Sequence, residues 1–414
     1  MGGAGVSLLE TMTQHKRSAI TIAVTVVTVL VLAALFTQRA YYNLSHEDFR
    51  NTNFFFFWLA GRMVLLGQNP YDSVQWLAGH DAFGNTWRPN QIFPYPLPLS
   101  FLMAPLGLFS LPAAYFTWQI VCEVFIAVSA WYLLQHWFGG RQSRLFLPLM
   151  IFLLFFGPIF LSLQIGSLAP LTLLVLVAGL ALLERGLSVP AGMLLSLTML
   201  KPPQGLTILV LAGVWLFARR DWKAIGGVAI GGLALLTAGL FKDPGWIGKF
   251  VSAGQVVLDR TLGVQSNVFG FAYLACGRSL GCMWILGTGA MLLLLGLTSL
   301  YLWHHARQQS PWDAFNLILP IAFVSTIYLW SYDQLPYLIP ILWIAGSLVE
   351  RSRSYVPTFA LVIVLVLVSL IGLVIQAYTR SDLLSIFPTI VIIGLCLWLL
   401  GSKPKPAAAS VSTD

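Results

Sequence analysis

Charge is what this sequence has least of. Asp, Glu, Lys and Arg together make up 9% of its 414 residues, against roughly 25% in ordinary soluble domains. So little charge cannot cover a water-soluble fold of this length, and 58% of the residues are apolar. The apolar residues fall in long unbroken runs rather than the short alternating segments of a β-barrel. The class that remains is a polytopic α-helical membrane protein. The net charge of +8 brings no basic stripe interleaved with aromatics, and no nucleic-acid partner is expected. Lys and Arg sit mostly at the ends of apolar runs, where they set orientation and meet lipid headgroups.

Several chemical signatures are also missing. There is no glycine loop ending in Lys-Ser/Thr, no Gly-x-Ser-x-Gly turn and no zinc-type His/Cys spacing. His304-His305 falls at a span end and reads as an interfacial cation. An ATP-driven pump and a zinc protease are therefore disfavoured, and neither a metal nor another cofactor is expected. No internal repeat is visible, so the inverted symmetry of secondary transporters finds no support. Cysteine is scarce, at four residues. Cys122 and Cys396 lie inside apolar runs and read as small packing residues. Cys276 and Cys282 share a long polar loop, either as a short-range disulfide in an oxidising compartment or as two free thiols.

What is present is a series of apolar runs. Lys16 and Arg17 precede one from Ile20 to Phe36, longer than the ~7–15-residue core of a signal peptide, so it reads as a retained first span near 18–38. Further spans are expected near 112–137, 145–163, 168–184, 187–200, 204–218, 223–241, 283–303, 314–330, 335–349, 355–377 and 383–401. That makes about twelve, the shorter ones falling below the ~20 residues of a full crossing. The expected fold is an all-α transmembrane bundle with a first module over 1–241 and a second over 242–414. Lys16/Arg17, Arg141/Arg144, Arg185, Arg219/Arg220/Lys223, Arg307, Arg351/Arg353 and Lys403/Lys405 fall on one side. By the positive-inside rule both termini are then cytoplasmic. The expected location is a bacterial-type inner membrane, and the tail from Pro404 reads as disordered.

The opposite face collects the interesting polar residues. They are Asp48, Gln164-Ile165-Gly166-Ser167, Lys201-Pro202-Pro203-Gln204, the 242–282 loop, Ser331-Tyr332-Asp333-Gln334 and Thr379-Arg380-Ser381-Asp382. Segment 54–66 is too short to span, and its run of four phenylalanines suits an interfacial helix at headgroup depth; Pro244 to Phe250 suits a second. Between them, Phe93-Pro94-Tyr95-Pro96 cannot be regular helix. A partly desolvated carboxylate at Asp48 could take a proton from an attacking hydroxyl. Taken alone, Asp48 reads better as a solvated residue after a span, or as a helix cap. Lys201, Lys249, Arg260 and Arg62 are cations available to a lipid phosphate, although Lys201 also suits a snorkelling side chain. Glu123 lies mid-span, where an ionised group is costly.

Asp48, the pattern Ala60-Gly61-Arg62-x-x-x-Leu66-Gly67-x-x-Pro70-Tyr71, Phe93-Pro94-Tyr95-Pro96 and Met103-Ala104-Pro105-Leu106 together resemble the N-terminal half of glycosyltransferase family 87. The likeness continues through Gln164-x-Gly166-Ser167, Arg185-Gly186, Ala191-Gly192, Leu200-Lys201-Pro202, Arg219-Arg220-x-Trp222-Lys223 and Gln265-Ser266-Asn267. It covers about 45–270 and thins to Tyr332-Asp333 beyond. The phenylalanines at 54–57 and Leu97 depart from the family pattern, which bears on acceptor choice.

The resemblance implies a GT-C superfamily enzyme that moves a hexose, with mannose favoured, from a polyprenyl-phosphate donor to a lipid or glycan acceptor. Asp48 would be the general base of an inverting transfer and Lys201 the cation at the lipid phosphate. Gln164, Arg62, Arg260, Gln265, Asn267, Tyr332 and Asp333 are further substrate-contact candidates. For Gln265 and Asn267, loop-internal hydrogen bonding is the competing role. The rival readings are transfer of arabinofuranose or glucose, and a transporter or flippase of a lipid-linked glycan.

Overall fold

The computed structural model describes residues 48–86, 90–138, 149, 152–153, 155–352 and 356–401. The expected first span, Glu47, the basic residues Lys16, Arg17, Arg141, Arg144, Arg353, Lys403 and Lys405, and the tail from Pro404 lie outside them. Among the described residues there are helices and connections and no strand.

A 3-10 turn over Asp48–Asn51 leads into helix α1, Asn53–Leu65. Thr52 precedes it in extended backbone, and its hydroxyl donates to the Phe49 carbonyl at 2.7 Å. The helix stops where Gly67 takes a φ of +75° and paired bonds close the end, Gly67 N–H to the Val64 carbonyl and Gln68 N–H to that of Met63. The rings of α1 face protein: Phe54, Phe55, Phe57 and Trp58 have no exposed surface. They are enclosed by α2 (Ser73–Ala82), α3 (Leu97–Gly107) and α4 (Leu111–Phe138). Asp72 caps α2 by accepting from the Val74 and Gln75 amides at 2.9 and 3.0 Å. Gly61 lets α1 and α3 touch, because a Cβ there would sit 2.5 Å from the Met103 carbonyl oxygen.

α5 (Gly157–Gln164) is tied to α4 by Gln119, which donates to the Leu163 carbonyl at 2.9 Å, and by Trp118, which donates to that of Gly166 at 3.2 Å. α6 (Ala169–Glu184), α7 (Ser188–Ser196), α8 (Pro202–Arg219) and α9 (Trp222–Lys242) follow through short turns. α7 and α9 meet through small residues: Gly192 lies on the Ala224 carbonyl, Gly227 on the Val189 carbonyl and Gly231 on the Ser196 hydroxyl. This is the close backbone approach that Gly-x-x-x-Gly patterns allow between apolar helices.

The second expected long loop holds two helices, α10 (Trp246–Thr261) and α11 (Val268–Ala275). α10 is amphipathic, burying Trp246, Ala253 and Leu258 while exposing Ile247, Val251 and Val256. Cys276, just after α11, forms a disulfide with Cys282, six residues on, and Cys122 and Cys396 are free and buried. α12 (Leu280–His305), α13 (Pro311–Val324), α14 (Leu338–Ser352), α15 (Val356–Thr379) and α16 (Ile386–Gly401) complete the bundle. Every residue of α13 is buried, as a helix apolar on all sides requires.

Five described segments are long and apolar enough to cross a membrane: Leu111–Phe138, Trp222–Lys242, Leu280–His305, Val356–Gln376 and Leu383–Gly401. The expected spans near 168–184, 187–200 and 314–330 coincide with shorter apolar helices. The chain is a helical membrane protein. Residues of the Arg-rich turns converge at one end, where Trp312 donates to Glu184 at 3.0 Å and Arg219 donates to the Gln309 carbonyl at 2.6 Å. The polar turns converge at the other.

Candidate functional site

Two prolines create the centre of that other end. A 3-10 turn over Leu197–Leu200 delivers Lys201, and Pro202 and Pro203 start α8 immediately after it. Proline suits the first turn of a helix, where amide donors have no partner within the helix, and it forces Lys201 into non-helical backbone (φ −128°, ψ 78°). The lysine side chain therefore points inward and is 7% exposed. It pairs there with Asp333, which is 3% exposed in the 3-10 turn Ser331–Tyr337.

The remaining lone pairs of Asp333 are met by the Gln204 amide at 2.9 Å and the Trp330 backbone N–H at 3.4 Å. Burial raises the Asp333 pKa and lowers that of Lys201, and the mutual attraction of the pair opposes both shifts. The Lys201 ammonium also lies 5.0 Å from the centre of the Tyr332 ring. The gap bounded by Thr172, Thr198, Lys201, Gln204 and Asp333 is about 10 Å3, enough for one water at most.

A half-buried aromatic surface lies beside the pair. Tyr332 stacks on Trp330 with ring planes 6° apart, and burial, followed by the fields of Tyr328 and Asp333, raises the Tyr95 pKa well above its ordinary value. Tyr95 in turn meets Phe57 edge-on at 4.9 Å. From Phe57 a wall of rings runs through Trp118, Phe54 and Tyr115 to Phe49, next to Asp48 in the chain. The Asp48 side chain itself lies outside what the structure describes.

Gln265 and Asn267 flank the same centre, with their amides occupied internally. Gln265 accepts from the Leu329 backbone N–H at 3.1 Å and from the Asn267 amide at 3.0 Å, while Asn267 caps α11 through Gly270 N–H at 2.9 Å. Lys201, Tyr332, Asp333, Gln265 and Asn267 are thus brought together. Gln164 is exposed at the end of α5 and Arg260 near the end of α10. Arg62 lies on the far side of α1, donating to the Gly107 carbonyl at 3.2 Å and covering the rings of Trp58 and Phe83. Glu123 is half-buried on α4, away from the polar turns.

Three polar residues were not singled out from sequence. Gln204 braces Asp333 and donates to the Tyr328 carbonyl at 3.1 Å. Gln334 donates to the Ser385 carbonyl at 2.9 Å. Asp382 accepts from Ser331 N–H and from the Ser385 hydroxyl, and burial pushes its pKa up to about 7. All three stand in turns already marked as polar and outward; the missing signal was which turns meet.

A helical membrane protein with a sealed ion pair and an aromatic surface at one end is the class that fold and site define. The model of glycosyltransferase family 87 matches residues 93–331, more than half of the chain, and the chain belongs to that family. No curated protein and no solved structure matches it. The matched stretch contains Tyr95, Gln164, Lys201, Arg260, Gln265 and Asn267; it begins after Asp48 and Arg62 and ends just before Tyr332 and Asp333.

Proposed function

We propose that this glycosyltransferase moves a hexose, mannose in the first instance, from a polyprenyl monophosphate to a hydroxyl of a lipid or glycan acceptor. The observation that carries the reading is Lys201, a buried ammonium beside a half-buried aromatic surface, within the stretch matched to the family. In the proposed reaction the acceptor oxygen attacks the anomeric carbon as the bond from that carbon to the phosphate oxygen breaks. Asp48 takes the hydroxyl proton, the configuration inverts, and the lipid monophosphate leaves with both electrons of the broken bond. Lys201 then exchanges part of its interaction with Asp333 for the phosphate, whose charge grows as the bond breaks. Tyr332 and Tyr95 offer ring faces to the sugar. No step in this scheme calls on a metal. The reaction belongs to the outer face of a bacterial-type inner membrane, where an already activated donor needs no nucleotide.

The test is cell-free. Purified protein is incubated with lipid extract and labelled polyprenyl-phosphate mannose, in parallel with the glucose and arabinofuranose analogues. Wild type is expected to form labelled glycolipid from the mannose donor, and Asp48→Asn to lose at least about 100-fold in rate, the scale of a general-base contribution. Equal product from both proteins removes Asp48 as the base. Product only from another donor reassigns the sugar.

A further inference from the structure

The Arg219-Arg220-x-Trp222-Lys223 motif has no part in the transfer site, which lies at the opposite end of the bundle. Its two arginines do different things. Arg219, itself exposed, lies over the Trp215 ring, 4.8 Å from its centre, and donates to the Ala306 and Gln309 carbonyls beyond α12. Arg220 is exposed and sits in left-handed backbone, with a φ of 61°. Its N–H and that of Asp221 return to the Phe217 and Leu216 carbonyls, closing α8 with a Schellman turn. Glycine is the usual residue at that position because a side chain there is strained. Here the chain holds an arginine instead, and strained backbone of this kind tends to gather at functional sites.

Arg220 lines a cleft of about 660 Å3 together with Trp222, Trp303, His304, Arg307 and Gln308. That volume falls in the ~300–1,000 Å3 range of small-ligand sites. The rings form a shelf: Phe217 meets Trp222 edge-on at 4.9 Å and stacks on Trp303 at 5.8 Å. The Asp221 carboxylate is held by other partners, accepting from the Ser188 hydroxyl and from the Ala224 amide. Two guanidiniums and an amide suit a phosphate. The ring shelf decides its source. Phe217, Trp222 and Trp303 are 48%, 55% and 51% exposed, and the tryptophans stand at the ends of two segments apolar enough to cross a membrane. Indole rings at that level suit the headgroup zone of a bilayer, and a soluble phosphate has no use for them.

We propose that this cleft binds the phosphate of an anionic phospholipid, with Arg220 and Arg307 on the headgroup and Trp222 and Trp303 along the start of the acyl chains. The site is separate from sugar transfer, so the proposal stands or falls independently of it.

The test uses the full chain in mixed micelles containing phosphatidylglycerol or phosphatidylcholine, with retained lipid read by native mass spectrometry. Wild type is expected to retain phosphatidylglycerol preferentially. Arg220→Gly keeps the left-handed turn and relieves its strain, so it should fold with an equal or higher melting midpoint. It should nevertheless retain roughly fivefold less phosphatidylglycerol, the effect of one basic residue at an anionic surface, and Arg220→Gly/Arg307→Gln still less. Equal retention by wild type and both variants overturns the proposal. Displacement of the lipid by inorganic phosphate would assign the cleft to a soluble anion and overturn it as well.

Discussion

Removing the carboxylate of Asp333 would strip the Lys201 ammonium of its counter-charge while leaving it buried. Breaking one side of a buried pair costs about 3–5 kcal/mol, whereas replacing both sides with apolar groups is often neutral. Asp333→Asn is therefore expected to lower the unfolding midpoint of the detergent-solubilised protein, and Lys201→Met on that background to restore most of the loss. A midpoint that Asp333→Asn leaves unchanged would show that the pair is not buried in solution. Asp382 adds a pH dependence. Its folded pKa is raised from 3.8 to about 7, with burial the main cause and the nearby Asp333 a further one. The folded protein then holds a proton that the unfolded chain releases, so the stabilisation is complete below about pH 4 and is lost as pH rises through about 7. Asp382→Asn keeps an acceptor for Ser331 and Ser385 and should be the more stable protein at pH 8, with a flatter profile between pH 4 and 8. Parallel wild-type and variant profiles in pH-dependent melting would refute this. Sequence placed Lys201 and Asp333 on one face, but 132 positions separate them, and hydropathy says nothing about which turns meet.

Among the elements, α7 and α9 depend on having no side chain between them. Gly231 rests on the Ser196 hydroxyl and Gly227 on the Val189 carbonyl, so Gly231→Leu must push the helices apart or bend one of them. Overpacking of this kind costs about 1–3 kcal/mol. A lowered melting midpoint is expected, with weaker transferase activity because the Leu197–Leu200 turn that precedes Lys201 follows α7 directly. An unchanged midpoint would mean that the pair is loosely packed. The helices themselves were largely legible. Expected spans 112–137, 223–241 and 355–377 appear as Leu111–Phe138, Trp222–Lys242 and Val356–Thr379, because long apolar runs leave the backbone no other way to satisfy its hydrogen bonds in lipid. The run of phenylalanines in α1 marked a buried helix without saying what buries it. Aromatic bulk marks a burial site equally well whether the partner is lipid or protein, and only the contacts to α2, α3 and α4 tell them apart. The 3-10 turns that carry Asp48 and Asp333 and the one that precedes Lys201 leave no periodic trace, so prolines and polar residues were the only guides to them.

At the scale of the whole molecule, the two polar ends make opposite demands on the bilayer. On the proposed reaction the Lys201 end faces the compartment that holds an activated lipid-linked sugar, and on the proposed lipid site the Arg220 end faces the leaflet richer in anionic lipid. Basic residues in short turns tend to stay cytoplasmic, and Arg185, Arg219, Arg220, Lys223, Arg307 and Arg351 all belong to the Arg220 end. The disulfide lies in the connection that leads into α12 from the Lys201 end, whereas α12 finishes at the Arg220 end. An oxidising exterior is where such a bond persists. In intact cells, a membrane-impermeant maleimide applied after an impermeant reductant should therefore label Cys282, which is exposed, and leave the buried Cys122 and Cys396 unmodified. Labelling that appears only after lysis would invert the orientation. It would carry Asp48 and Lys201 to the cytoplasmic side, where nucleotide sugars are available, and remove the reason for expecting a lipid-phosphate donor.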